Sequence, residues 1–281
     1  MLLNKKIAES IDLLIKGEAT ALRMNPEEGF FLGFSGGKDS QVVYHLCKLA
    51  GVKFKAYYSV TGIDSPETVR FIRDNYPDVK FLHHEQNFFE LVANKGLPTM
   101  RKRYCCERLK EHFGAGQCVI TGVRADESKK RASYAAIEIY SRRKEHRDKK
   151  RERDEKWLKE TEHECIKGQD KIMIRPILRW STSDVFQYLN DIKAKINPEY
   201  AKHNRIGCMI CPFASRKSIE MYEKEYPRYK EILIRNLKKY WEKSDEHFFN
   251  TPEEYYGWWK SKKSAKEYFE LKKQTTLHIL P

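Results

Sequence analysis

The sequence predicts an α/β protein built on a doubly wound parallel sheet, followed by a helical C-terminal extension. Three observations carry this. Short apolar runs alternate with segments of helical periodicity. The first such run ends in a glycine loop that opens a helix. After Cys211 the composition turns to aromatics and lysines at helix-compatible spacing.

In chain order, Ile7, Ile11, Leu14 and Ile15 share one face, which predicts an amphipathic lead-in helix over 1–24. The run from Gly29 to Phe34 reads as a buried strand entering Ser-Gly-Gly, and Gln41 to Ala50 resumes helical spacing. Phe54–Val60 is the next strand. Pro66 then opens a helix with Ser65 before it. Val79–Leu82 and Cys118–Thr121 are further short strands, and the core resumes at Ile172–Ile177. Ser181 or Ser183 caps a helix running through Leu189. The expected organisation is an N-terminal helix (1–28), a nucleotide-binding domain (29–215) with a basic insertion near 141–165, and a helical tail (216–281).

Composition narrows the class. In 281 residues, 40% hydrophobic and 12% aromatic content excludes a largely disordered chain. No apolar run reaches the length of a membrane span. Glu9, Asp12 and Glu18 interrupt any leader-like block, so a cytoplasmic location is expected. The formal charge of +14 favours a polyanionic partner, either a nucleic acid or a phosphate-rich small molecule. Seven cysteines in such a chain point to metal or redox chemistry rather than a disulfide framework.

The loop Ser35-Gly36-Gly37-Lys38-Asp39-Ser40 lies between strand and helix, the context a phosphate loop needs. Two glycines let backbone amides approach an anion, and the following helix adds its positive end. Ser35 and Ser40 offer hydroxyls, Lys38 a point charge, and Asp39 a carboxylate to hold magnesium or orient a neighbour. The spacing of a Walker A loop is absent.

This loop resembles the Ser-Gly-Gly-x-Asp-Ser signature of the PAPS reductase and ATP pyrophosphatase (PP-loop, adenine nucleotide alpha-hydrolase-like) superfamily, which includes the DNA phosphorothioation sulfurtransferase. Thr61-Gly62 with Pro66-Glu67-Thr68 resembles that family's segment near the nucleotide. Thr121-Gly122-Val123-Arg124, with Glu127 and Arg131, resembles its Gly-x-Arg segment. The resemblance implies that Thr61, Gly62, Gly122, Arg124, Glu127 and Arg131 join the loop in binding an adenine nucleotide, with Lys38, Asp39 and Arg124 catalytic. Both arginines would grip phosphate or sulfate oxygens through a fork.

Cys208-x-x-Cys211 can grip one metal or cluster, and Cys105-Cys106 supplies two more thiols. The same Cys-Cys…Cys-x-x-Cys arrangement holds a 4Fe–4S cluster in the family's adenylyl sulfate reductases, and Lys110 matches a lysine of that pattern. A second family pattern leaves Cys106 free and lets Cys165 take its place. Zinc on the same thiols is an alternative, as are unliganded buried cysteines. Cys47 and Cys118 read as core.

Family reductases attack with a cysteine in a Glu-Cys-Gly-Leu-His motif, whereas no cysteine follows Cys211 in these seventy residues. The expected reaction is therefore ATP-dependent activation, with magnesium, coupled to sulfur transfer onto an acceptor. One alternative is a phosphoadenylyl or adenylyl sulfate reductase using an external thiol. The other is a non-catalytic nucleotide- or nucleic-acid-binding module. A nucleic-acid acceptor would suit the nine basic residues of 142–156 and the thirteen aromatics between Tyr222 and Phe269. The competing reading makes the insertion a solvated face and the aromatics a helical core. A sulfur-donor or thiol-reductant protein is a further expected partner.

Overall fold

The computed structural model describes residues 2–140, 171–243 and 248–270. The basic insertion and Cys165 lie outside the described residues. The strands are β1 (Phe30–Gly33), β2 (Phe54–Ser59), β3 (Lys80–Leu82), β4 (Cys118–Ile120), β5 (Ile137–Tyr140) and β6 (Lys171–Ile174). The α-helices are α1 (Leu2–Met24), α2 (Lys38–Ala50), α3 (Pro66–Asn75), α4 (Phe88–Lys95), α5 (Tyr104–Leu109), α6 (Lys129–Ala132), α7 (Thr182–Asp191), α8 (Arg216–Glu225), α9 (Pro227–Trp241) and α10 (Pro252–Ser261). Two compact units result: Met1–Ser59, Pro66–His83 and His112–Ile206 form one; Val60–Ser65, His84–Glu111 and Gly207–Pro281 form the other.

The first unit holds a six-stranded sheet in the order β3-β2-β1-β4-β6-β5. All neighbours run parallel except β5, which pairs antiparallel with β6. Phe30 and Leu32 of β1 are fully buried, as the uninterrupted apolar run requires of a central parallel strand. From β1 the chain winds outward through β2 and β3, then returns to β4 on the other side. The carboxyl ends of β1 and β4 thus flank the switch point where such sheets bind ligands.

Helix α1 buries Leu14 of the expected stripe and half-buries Ile7 and Ile11, but it leaves out Ile15. Leu3, Ser10, Leu14, Gly17, Thr20 and Ala21 are buried, whereas Ile15 is 53% exposed. The reason is close approach: a Cβ on Gly17 would lie 2.9 Å from the Ile174 side chain. Small residues therefore face the sheet. Trp180, 2% exposed, donates Nε1 to Ser10 Oγ at 3.2 Å, and Ser10 donates to the Pro176 carbonyl at 2.7 Å. Ser181 caps α7 in a box with Asp184, so of the two serines considered it is the cap.

The second unit is helical. Asn87 and Glu90 form a capping box on α4. Its core gathers Phe88, Leu91, Val92, Leu109, Met209, Ile219, Leu233, Leu237, Tyr256 and Trp259. Trp259 donates Nε1 to the Pro98 carbonyl at 2.6 Å, satisfying its one polar atom. Of the aromatics between Tyr222 and Phe269, Phe248 alone is fully exposed. These rings mostly serve as core. Among the described residues, no helix is long and apolar enough to cross a membrane.

Candidate functional site

The loop after β1 is locked by its own hydroxyls. Ser40 Oγ donates to the Gly37 carbonyl at 2.8 Å and accepts from Ser35 N–H at 3.2 Å, the two serine hydroxyls being 3.2 Å apart. Gly36 sits at φ +71°, and a Cβ there would meet Ile72 at 2.7 Å, so glycine is required on two counts. Gly37 precedes α2 at its N-cap position without a side-chain cap. Lys38 N–H, the first helical amide, donates to Tyr200 Oη at 3.0 Å. Asn197, 1% exposed, donates Nδ2 to the Gly36 carbonyl at 3.1 Å and to Thr68 Oγ1 at 3.2 Å. The result is a rigid turn that presents backbone amides and a helix N-terminus.

From β4, Gly122 lets the strand end come against α2: a Cβ there would stand 2.8 Å from the Asp39 carbonyl carbon. Arg124 follows. It is 2% exposed, and its Nε donates to Asp39 Oδ1 at 2.6 Å. Nη1 reaches the Trp180 carbonyl at 3.2 Å and Asp126 Oδ2 at 3.3 Å, while Nη2 reaches Thr182 Oγ1 at 3.2 Å. Asp39 Oδ2 accepts from Lys38 Nζ at 2.7 Å. Arg131 pairs with Glu127. The fork expected to meet a ligand oxyanion is thus turned inward at Arg124, where it fixes Asp39.

In the second unit, Cys105, Cys106, Cys208 and Cys211 line one small cavity together with Thr61, Ile63, Phe88, Leu109 and Lys110. All four are free thiols. Thr61 and Gly62, expected beside the nucleotide loop, belong to this unit. Thr61 Oγ1 donates to Asp64 Oδ2 at 2.7 Å, and Lys110 Nζ lies 3.6 Å from Asp64 Oδ1. Desolvation opposes the Lys110 charge, but Asp64 and then Cys208 raise its pKa overall, so it stays protonated. A hydrogen bond from Cys105, and then Arg103, lowers the Cys106 pKa, while Cys105 as donor is raised. Burial pushes the Cys208 thiol up to about 12. Cys47 and Cys118 are fully buried core, as expected.

Sequence reasoning missed Tyr200, Asn197 and Asp64. The first two lie about 160 residues beyond the loop that they touch, and no local spacing links them to it. Asp64, two residues after Gly62, had a detectable signal: an acid beside a segment already under scrutiny.

Residues 29–214 match the phosphoadenosine phosphosulfate reductase domain family. The chain belongs to that family, and the Ser35–Ser40 loop lies within the matched residues. Two uncharacterized proteins of Methanocaldococcus jannaschii are each 28% identical to it, over 75% and 85% of this chain and 42% and 53% of their own. The chain therefore spans about half the length of these two relatives. Sulfate adenylyltransferase subunit 2 of Pseudoalteromonas translucida is 28% identical over 83% of this chain and 80% of its own. Among solved structures, the Candida glabrata FMN adenylyltransferase in complex with FMN and an ATP analogue overlaps 74% of this chain and 62% of its own, with a TM-score of 0.49 at 14% identity.

Proposed function

We propose that this chain is an ATP-using enzyme that splits the α–β phosphoanhydride and activates an acceptor oxygen for replacement by sulfur. The acceptor oxygen attacks the α-phosphorus and pyrophosphate leaves. A sulfide-level nucleophile then displaces AMP, which departs with that oxygen, so no net oxidation or reduction occurs. The carrying observation is the locked Ser35–Ser40 turn at the β1/β4 switch point, with Asp39 held by Arg124. In this reading the loop amides and Lys38 take the phosphate oxygens. Asp39 serves magnesium, and Arg124 acts through Asp39 as a positioning residue. The name of the sulfate adenylyltransferase relatives supports adenylyl transfer as the first step.

The four cavity thiols suit a soft metal centre, since among the described residues no imidazole or carboxylate lines the cavity with them. Among the described residues Cys106 stands with the other three, which supports it as a fourth ligand. Among the described residues, no three of these sulfurs gather within 4.8 Å. Zinc on the same four thiols is the alternative to an iron–sulfur cluster. Such a cluster, when bound by Cys105, Cys106, Cys208 and Cys211, supplies iron that can take a sulfide-level donor. Lys110, kept charged by Asp64, would balance its negative charge.

The test is exchange of radiolabelled pyrophosphate into ATP, with magnesium and a nucleic-acid acceptor present, on the anaerobically purified chain. Exchange that is lost in Asp39→Asn is expected. Sulfite release from adenylyl sulfate or its 3′-phosphate with a thiol reductant, without ATP turnover, would overturn the proposal and assign a reductase.

A further inference from the structure

The turn that delivers Cys105 and Cys106 is strongly basic. Residues 101–111 hold five Lys and Arg against Glu107 and Glu111, and Arg101, Lys102 and Arg103 are all exposed. The Arg103 guanidinium lies over the Phe213 ring, 5.1 Å from its centroid. It also bonds Cys106 and lies 3.6 Å from Glu111. Phe213 follows Pro212, a residue of the cysteine cavity wall, yet it is 53% exposed. Arg216 and Lys217 follow in sequence, Arg216 donating Nε to Glu220 Oε1 at 2.7 Å.

A large ring left half in water, with a guanidinium on it and two exposed cations just before that arginine in sequence, is poorly explained by packing. Nearly every other aromatic of this unit is drawn inward. The combination matches single-stranded nucleic-acid binding: any base has a π-face to stack, arginine adds a cation–π contact, and lysines and arginines take phosphates. An acidic protein partner would satisfy the cations and leave the ring unused.

We propose that this rim docks a single-stranded nucleic acid, with one base stacked on Phe213 beside Arg103 and its phosphates on Arg101 and Lys102. The inference rests on the sulfur-transfer reading of the cavity and names its acceptor: a base presented at the cysteine cavity.

The test is fluorescence anisotropy of labelled RNA and DNA oligonucleotides of about twelve nucleotides, within the span such sites cover, on the full chain without ATP or sulfur donor. Phe213→Ala is expected to weaken binding about tenfold or more. Phe213→Trp should retain binding, and its added emission should be quenched by the oligonucleotide. Lys102→Ala should reduce the salt slope by about one phosphate contact. The RNA and DNA arms identify which polymer is preferred. Folded Phe213→Ala that binds like wild type, or an unquenched Phe213→Trp, would overturn the proposal. So would an acidic peptide competing as well as the oligonucleotide, which would assign the rim to a protein. Lost docking with intact pyrophosphate exchange refutes the platform alone; docking without exchange refutes only the ATP reading.

Discussion

Arg124 Nε donates to Asp39 Oδ1 at 2.6 Å, tying the loop after β4 to the first turn of α2. Because the rest of the guanidinium is also spent on protein acceptors, its removal leaves Asp39 with Lys38 as its one remaining cation and takes the arginine from Asp126. Arg124→Ala should cost about 1–3 kcal/mol, the usual loss when buried acceptors lose a donor, since Lys38 still partners Asp39. Arg124→Lys keeps the charge but cannot reach every acceptor, so an intermediate loss is expected. Urea denaturation measures both. Wild-type stability in the alanine variant would refute the anchoring role.

Gly36 and Gly37 should respond differently to alanine. At Gly36 the positive φ and the Ile72 side chain together exclude a Cβ, and about 1–3 kcal/mol of strain follows. At Gly37 the nearest atom is Tyr200 Oη at 3.3 Å, with an ordinary φ of −82°. Calorimetric titration with ATP should show binding abolished in Gly36→Ala and merely weakened in Gly37→Ala. Equal effects would argue against a conformational requirement at Gly36.

Tyr200 occupies an amide that an oxyanion at the helix start would take. Tyr200→Phe removes this competitor while keeping the ring, and should tighten ATP binding about two- to tenfold, the worth of one neutral hydrogen bond. Weaker binding would show that the phenol belongs to the bound state instead.

Asp184 links helix α7 to α1 through Lys6 Nζ at 2.5 Å, and both side chains are largely shielded. Burial works to raise its pKa, but Lys6 and the Ser181 hydrogen bonds bring it below the ordinary 3.8. With the folded value depressed, the contribution is complete above the unfolded value and is lost as pH falls through the folded one. Asp184→Asn should therefore cost about 1 kcal/mol at pH ~7. The gap from wild type should narrow in melts as pH falls below the ordinary aspartate value and through the depressed folded one. A gap that is constant with pH would remove the charge from the explanation.

Anaerobic protein should show visible absorption that Cys208→Ser abolishes while the far-ultraviolet circular dichroism stays unchanged. Colourless wild-type protein with stoichiometric zinc would refute the cluster.

Local pattern made the nucleotide loop legible, because an apolar run, two glycines and a resumed helical period specify backbone conformation within a dozen residues. The paired cysteines were legible for the same reason, since Cys-x-x-Cys is itself a geometry. The face of α1 was legible only in part: Leu14 is buried and Ile7 and Ile11 half-buried as read, but the sheet also selects the small residues Ser10, Gly17 and Ala21 and leaves Ile15 out. Strand β5 was missed because four residues paired antiparallel at an edge carry little periodicity of their own.

What the chain order alone determined is the parallel α/β class, the phosphate-loop turn and the four candidate thiol ligands, all written in neighbouring residues. Only the folded structure decided that Arg124 serves Asp39, that Tyr200 and Asn197 close on the loop, and that Thr61 lines the cysteine cavity with Asp64 beside Lys110. Those partners are set by burial and packing across long stretches of chain, where a charged or polar group takes whichever neighbour desolvation leaves within reach.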